Sequence, residues 1–234
     1  MANDDPLVVA GRKPVGDALD WAAERIAALA RGRVLDIGCG DGRFLPAGGI
    51  GLDLDESRLR VARASSPLVV RADAHALPFR DASLDTAIAS RMLNDAGRID
   101  LVLAEIRRVL RPGGLALVLT LATGARSPLR EIHEAAREAL GPCRPRETDR
   151  LDDANGAARL RGFFADVRSE SFARRWPFAD PSAALDHYAR RYLHRGDRDA
   201  RATADLFARV RERVLAWKGE LADEERAWLF IARR

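Results

Sequence analysis

Three glycines and two acids near the start of the chain have the types and spacing to hold a nucleotide-like ligand. They lie in "RVLDIGCGDGRFLPAGGIGLDLDESRLR", residues 33–60. An apolar run leads into Gly38, Gly40 and Gly42, and Asp53 closes a second apolar run seventeen positions after Asp36. Glycines at a strand end let backbone approach a ligand and adopt torsions that side chains disfavour. A carboxylate at the end of the next strand can accept from both hydroxyls of a ribose. The spacing G-x-G-x-G lacks the last glycine of the dinucleotide pattern, and no G-K-[ST] phosphate loop follows. Asp36, two residues before the first glycine, would also repel a pyrophosphate. An adenosine-bearing ligand with a positively charged centre fits these residues better.

Positioning them requires a strand before the glycines and another before Asp53. "RVLDIG" and "GIGLDL" supply both, and "RFLPAGG" between them leaves room for little more than one helical turn. Upstream, "ALDWAAERIAALA" (18–30) repeats apolar positions at helical spacing and ends at Gly32. Downstream, "DESRLRVARA" begins a helix with Asp55 or Ser57 as its cap, and "LVVRAD" is a third strand. "SLDTAIASRML" contains a fourth strand. "RIDLVLAEIRRVL" is an amphipathic helix stopped by "RPGG", and "LALVLTLA" is a fifth strand. Strands alternating with helices or short crossovers predict a parallel sheet covered on both faces, an α/β fold.

The remainder is less regular. "SPLREIHEAAREAL" reads as a helix capped by Ser127, "GPCRPRETDRLDDANG" as a charged loop, "AARLRGFF" as a short helix and "DVRSESFARRW" as a strand. Residues 181–194 and 198–218 read as helices, and "RAWLFIARR" as a returning edge strand. One domain over 1–234 is expected, with a cofactor-binding core at 18–122 and acceptor-side elements at 123–234.

Bulk properties narrow the class. The 234 residues are 47% hydrophobic and 32% charged, the composition of an ordinary globular chain. A net charge of +4 is weak support for a polyanionic partner, and nucleic-acid substrates are not expected. Two cysteines, Cys39 and Cys143, build no disulfide framework, and no compact His/Cys spacing suggests a metal. No apolar run approaches ~20 residues and no secretory leader is evident, so membrane insertion is not expected and a cytoplasmic location is.

"VLDIGCGDGRF" resembles the first motif of class I S-adenosylmethionine-dependent methyltransferases, and "GLDLDESRL" their second. "RADAHALPFRDASLDTAIASRML" and "AEIRRVLRPGGLALVL" are similar to the segments that follow, so the resemblance covers residues 18–122. It is closest to the type 11, UbiE-like group. The resemblance implies a Rossmann-like, mostly parallel seven-stranded sheet with helices on both faces. It implies S-adenosylmethionine as cofactor, direct in-line methyl transfer and a small-molecule acceptor. Asp36 and the loop Gly38, Cys39, Gly40, Gly42 would lie beside the methionine portion. Asp53 would take the ribose, Leu54 would pack near the adenine, and Asp73 with the Ala74 N–H would bind the adenine edge. Ser90 and Met92, with Leu93, would face the sulfonium region.

The chain departs from the group at "SRMLND", where many relatives carry histidine; Asn94 and Asp95 stand there, so no base carries over. Arg91 can pair with the donor's carboxylate, reach an acidic substrate or point to solvent. The acceptor side has weaker signals. His187, Tyr188, Tyr192 and His194 cluster on the 181–194 helix, which offers either an aromatic lid with a titratable group or an apolar packing seam. His187 and Tyr188 are the candidate catalytic residues. His75 lies in the adenine-side loop and His133 in a charged helix. A fold that has lost catalysis and an RNA or protein methyltransferase are the alternative functions. Monomer and homodimer remain equally open.

Overall fold

A computed structural model describes residues 16–64, 66–123, 150–189, 200–218 and 220–234. The elements are α1 (Ala18–Leu29), β1 (Val34–Ile37), β2 (Ile50–Asp53), α2 (Glu56–Ala62), β3 (Val69–Arg71) and β4 (Leu84–Ser90). Then follow α3 (Leu93–Ala96), α4 (Ile99–Val109), β5 (Leu110–Thr123), α5 (Gly156–Arg161), β6 (Asp166–Pro177), α6 (Pro181–Tyr188), α7 (Ala200–Ala216) and β7 (Ala222–Arg233).

The strands form one seven-stranded sheet in the order β3-β2-β1-β4-β5-β7-β6. β1 runs parallel to β2 and β4, β2 to β3, and β4 to β5. β7 is antiparallel to its neighbours. Its end meets the start of β5, where Gly113 N–H donates to Arg234 O and Arg234 N–H to Gly114 O, and its start meets the end of β6 through Phe178 N–H to Leu221 O. β7 therefore lies inside the sheet, not at the edge that its sequence suggested. Its run Leu229, Phe230, Ile231, Ala232 is buried at every position, as a strand covered on both faces must be.

Strand alternation splits the core into two layers. Leu35, Ile37, Ala89, Val118 and Phe230 share one cluster with α4. Val34, Ile88, Leu117, Leu119 and Leu229 share the other with Trp21 and Ile26 of α1. Helix α4 buries Ile99, Val102, Leu103, Ile106 and Val109, the apolar stripe expected at helical period. Helix α1 is fixed at its start by a capping box: Asp17 accepts from Asp20 N–H at 2.9 Å and Asp20 accepts from Asp17 N–H at 3.2 Å.

By internal contacts the chain forms two compact units. The first holds the described residues of Met1–Ala122, Glu147–Phe172 and Ala227–Arg234, and the second those of Thr123–Arg146 and Ala173–Arg226. The second unit has its own apolar cluster, Ala184, Leu185, Tyr188, Leu206, Val210 and Val214. The expected helix near Ser127, the loop with Cys143, His133, and the residues Tyr192 and His194 lie outside the described residues.

Candidate active site

The C-terminal ends of β1, β2, β3 and β4 bring the expected donor residues together within the first unit. β1, β2 and β3 progress to one side and β4 and β5 to the other, so the sheet reverses direction between β1 and β4. That reversal is where open α/β sheets bind ligands. The segment after β1 forms only turns, with Gly42 N–H on Cys39 O and Leu45 N–H on Gly42 O.

Asp36 is the penultimate residue of β1 and is 0% exposed, and among the described residues neither carboxylate oxygen has a hydrogen-bond partner. Burial, and then the charge of Asp53, push its pKa up to about 8. Nearby, Ser90 closes β4 with a buried hydroxyl that is likewise unpartnered. Ala89 is in register with Ile37, which sets these two orphaned groups at the ends of adjacent strands. Buried polar atoms without partners are rare in native folds.

Asp53 is already engaged. Its Oδ2 accepts from Gly40 N–H at 2.8 Å and its Oδ1 from Asp55 N–H at 2.9 Å. The carboxylate therefore holds the glycine loop against the end of β2. Asp55, capping α2, accepts from Ser57 N–H at 2.8 Å, which settles the cap between the two sequence candidates. Leu54 next to Asp53 is 60% exposed, a large apolar side chain left in the open. Cys39 is buried, and burial first, then Asp36 and Asp53, raise its thiol to about 12, so it is an inert packing group. Gly38 packs under Met92: a Cβ there would lie 2.6 Å from Met92 Cβ.

Asp73 follows β3, whose end is tied to β2 through Ala72 N–H on Asp53 O. Ala74 beside it is buried in the core. The loop beyond is anchored by Arg108, which donates to the carbonyls of Phe79 and Leu77 and to Glu105 and Asp81. Glu105 in turn accepts from Leu77 N–H at 2.8 Å.

Sequence reasoning missed two features. Asn94 clamps the returning chain, donating to Leu151 O at 3.0 Å and accepting from Leu151 N–H at 2.8 Å. With Arg91, Leu93, Thr120 and Leu151 it lines a shallow cleft at the ends of β4 and β5. Arg91 takes φ +60°, a left-handed torsion that non-glycine residues rarely adopt. The second is Arg58, whose guanidinium is the nearest group to the space over Gly40. Neither a polar amide just after β4 nor a basic residue on a surface helix carries a periodicity signal that would mark its role.

The acceptor-side candidates belong to the second unit. Tyr188 is 0% exposed within that unit's apolar cluster, where it packs. His187 Nε2 lies 2.9 Å from Oδ2 of the fully buried Asp223, and its ring centroid lies 5.1 Å from that of Phe178 in a tilted contact. A buried carboxylate in that position fixes the ring's orientation. Among the described residues no group of three or more His, Cys, Asp or Glu is placed to hold a metal.

Residues 35–118 match the family model described as "Methyltransferase domain". The chain is 39% identical over 121 residues to a malonyl-[acyl-carrier protein] O-methyltransferase from Erwinia pyrifoliae, a match covering 48% of this chain but only 45% of that protein. It is 31% identical over 210 residues to the malonyl-[acyl-carrier protein] O-methyltransferase of Enterobacter lignolyticus, covering 85% of this chain and 79% of that protein. Its fold matches a SAM-dependent methyltransferase from Archaeoglobus fulgidus with a TM-score of 0.55 at 17% identity, over 93% of this chain and 95% of that one. A strand order that reverses between β1 and β4, an acid-and-glycine loop at that reversal, and a relative aligned along most of both chains agree: the chain belongs to the class I S-adenosylmethionine-dependent methyltransferases.

Proposed function

We propose that the protein transfers a methyl group from S-adenosylmethionine to an oxygen of a small carboxylate-bearing acceptor. The observation that carries the donor half is Asp36, a buried carboxylate with no hydrogen-bond partner among the described residues, on the strand that leads into the glycine loop. An ammonium group is the natural counterpart of such an acid, and an adenosine suits Asp53, Leu54, Asp73 and the Ala74 N–H. The residues present therefore fit the donor at both of its ends. When bound, S-adenosylmethionine supplies an electrophilic methyl on a cationic sulfur.

The chain's own part is binding and alignment. Asp36 accepts from the donor's ammonium, Asp53 from the ribose, and Asp73 from the adenine amino group. Ser90 and Met92 border the reacting region and exclude water. Arg91 in the cleft after β4 pairs with the acceptor's carboxylate, a group that the malonyl-[acyl-carrier protein] named for the two relatives also carries. A carboxylate is already ionised at neutral pH and needs no base, so neither His187 nor Tyr188 is given a proton-transfer step.

Two measurements test this. S-adenosylhomocysteine, and not NAD at the same concentration, should raise the melting temperature. Labelled donor offered with a panel of carboxylic acids, acyl thioesters, phenols and amines should yield methyl esters. Stabilisation by NAD alone overturns the donor assignment, and product confined to phenols or amines overturns the acceptor assignment.

Asp53→Ala has a stated expectation. It removes the ribose acceptor and frees the Gly40 amide that the same carboxylate holds. S-adenosylhomocysteine affinity should fall by about 2 kcal/mol, the range for hydrogen bonds to a charged group. Titration calorimetry on the folded variant measures it, and an unchanged affinity would remove Asp53 from the donor site.

A further inference from the structure

His75 sits in a contact that only one of its protonation states satisfies. Its Nδ1 lies 2.7 Å from Asp73 Oδ1 and its Nε2 lies 3.0 Å from the carbonyl oxygen of Gly97. Both neighbours are acceptors. A neutral imidazole has one N–H, so it would set a ring lone pair against an oxygen lone pair on one side. The imidazolium donates to both. Its backbone N–H also donates to Asp73 Oδ1 at 2.9 Å, so one oxygen of Asp73 is fully taken up by His75 and the other is left for a ligand. The Asp73 side chain is about half exposed and would otherwise sample other rotamers. Gly97 precedes α4, so the same ring joins the loop after β3 to the segment that begins α4.

We propose that His75 is a positioning residue of the adenine pocket: as imidazolium it fixes the Asp73 carboxylate and the Gly97 junction, and adenosine affinity falls when it loses its proton. This rests on the reading that Asp73 binds the adenine. The charged groups acting on the ring are Asp73, from its own loop, and Arg98, from the start of α4. The Gly97 carbonyl and Asp73 raise its pKa, and burial and Arg98 oppose them. The net shift is upward, so the sign is fixed. The arrangement is complete below the ordinary histidine range and is lost as pH rises through the raised value.

The test uses the full chain and 5′-methylthioadenosine, which carries no amino-acid end and so does not report on Asp36. Its dissociation constant is measured by calorimetry from pH 6 to pH 9.5. The wild-type affinity should fall threefold to tenfold across that range. His75→Gln should bind throughout at the alkaline wild-type level, with a flat profile and an unchanged circular dichroism spectrum. A flat wild-type profile overturns the proposal whatever the variant does, and so does a His75→Gln profile that follows the wild type. Asp73→Ala separates the two layers of the argument. If it leaves affinity intact, the adenine reading fails; if it weakens binding while the wild-type profile is flat, only the role of His75 fails.

Discussion

Asp36→Asn is expected to raise the melting temperature of the ligand-free protein at pH 7 and to lower its affinity for S-adenosylhomocysteine about a hundredfold or more. The two effects have one cause. Asp36 is fully buried without a hydrogen bond among the described residues, and its pKa stands at about 8 against an ordinary 3.8. Below its ordinary value the acid is neutral in both folded and unfolded chains and costs nothing differential. As pH rises past that value the unfolded chain ionises while the folded chain holds its proton, so stability drains away until pH reaches about 8. Each pKa unit separating the two states is worth ~1.4 kcal/mol, so the burden at pH 7 is at least ~2 kcal/mol. Asparagine has nearly the shape of the neutral acid and cannot ionise, so its stability curve should lack that slope between pH 4 and 8.

The same substitution removes the counter-charge for the donor's ammonium. In the wild type, binding that ammonium should drive Asp36 to ionise and release a proton at pH 7. Calorimetric enthalpies measured in buffers of different ionisation heat would then differ for the wild type and agree for the variant. A variant that melts no higher than wild type at pH 7, or that keeps its affinity and its proton release, would refute the assignment of Asp36 as a charge held in reserve for the ligand.

The features legible in the sequence are those set by local chemistry. The glycine loop and Asp53 announce themselves because close approach and ribose binding need particular residue types within one strand–turn–strand unit. Helix α4 shows its stripe because burying one face imposes the helical period. What escaped notice depends on partners far along the chain. His75 meets the Gly97 carbonyl, which any residue type could offer. The side-chain amide of Asn94 clamps the backbone of Leu151, across a separation of 57 positions. The inner place of β7 follows from its antiparallel pairing with β5 and β6, and pairing partners leave no mark on a single strand beyond its burial. Tyr188 and His187 share a sequence neighbourhood, yet one is sealed in an apolar cluster and the other is held by Asp223. Residue type suggested chemistry for both, and packing assigned Tyr188 to the core.

Three glycines with left-handed torsions provide the sharpest separation of fold from ligand binding. Gly38, Gly40 and Gly48 have φ of +65°, +57° and +76°. Alanine at any of them carries a similar torsional strain, about 1–2 kcal/mol. Their surroundings differ. A Cβ at Gly38 would lie 2.6 Å from Met92 Cβ and 2.9 Å from its Cγ, while at Gly48 nothing among the described residues lies within 4 Å. At Gly40 the nearest atom is an Arg58 guanidinium nitrogen, 3.7 Å away. Gly38→Ala should therefore be the most destabilising, since overpacking adds about 1–3 kcal/mol to the strain. Gly40→Ala and Gly48→Ala should melt within a few degrees of each other. Yet only Gly40→Ala should lose S-adenosylhomocysteine binding, by about a hundredfold, because its methyl would occupy the space left for a ligand over the loop. Melting curves and calorimetry on the three purified variants decide the matter. Equal binding by Gly40→Ala and Gly48→Ala would mean that the space over Gly40 is not where the donor lies, and the loop would then serve only to turn the chain from β1 towards β2.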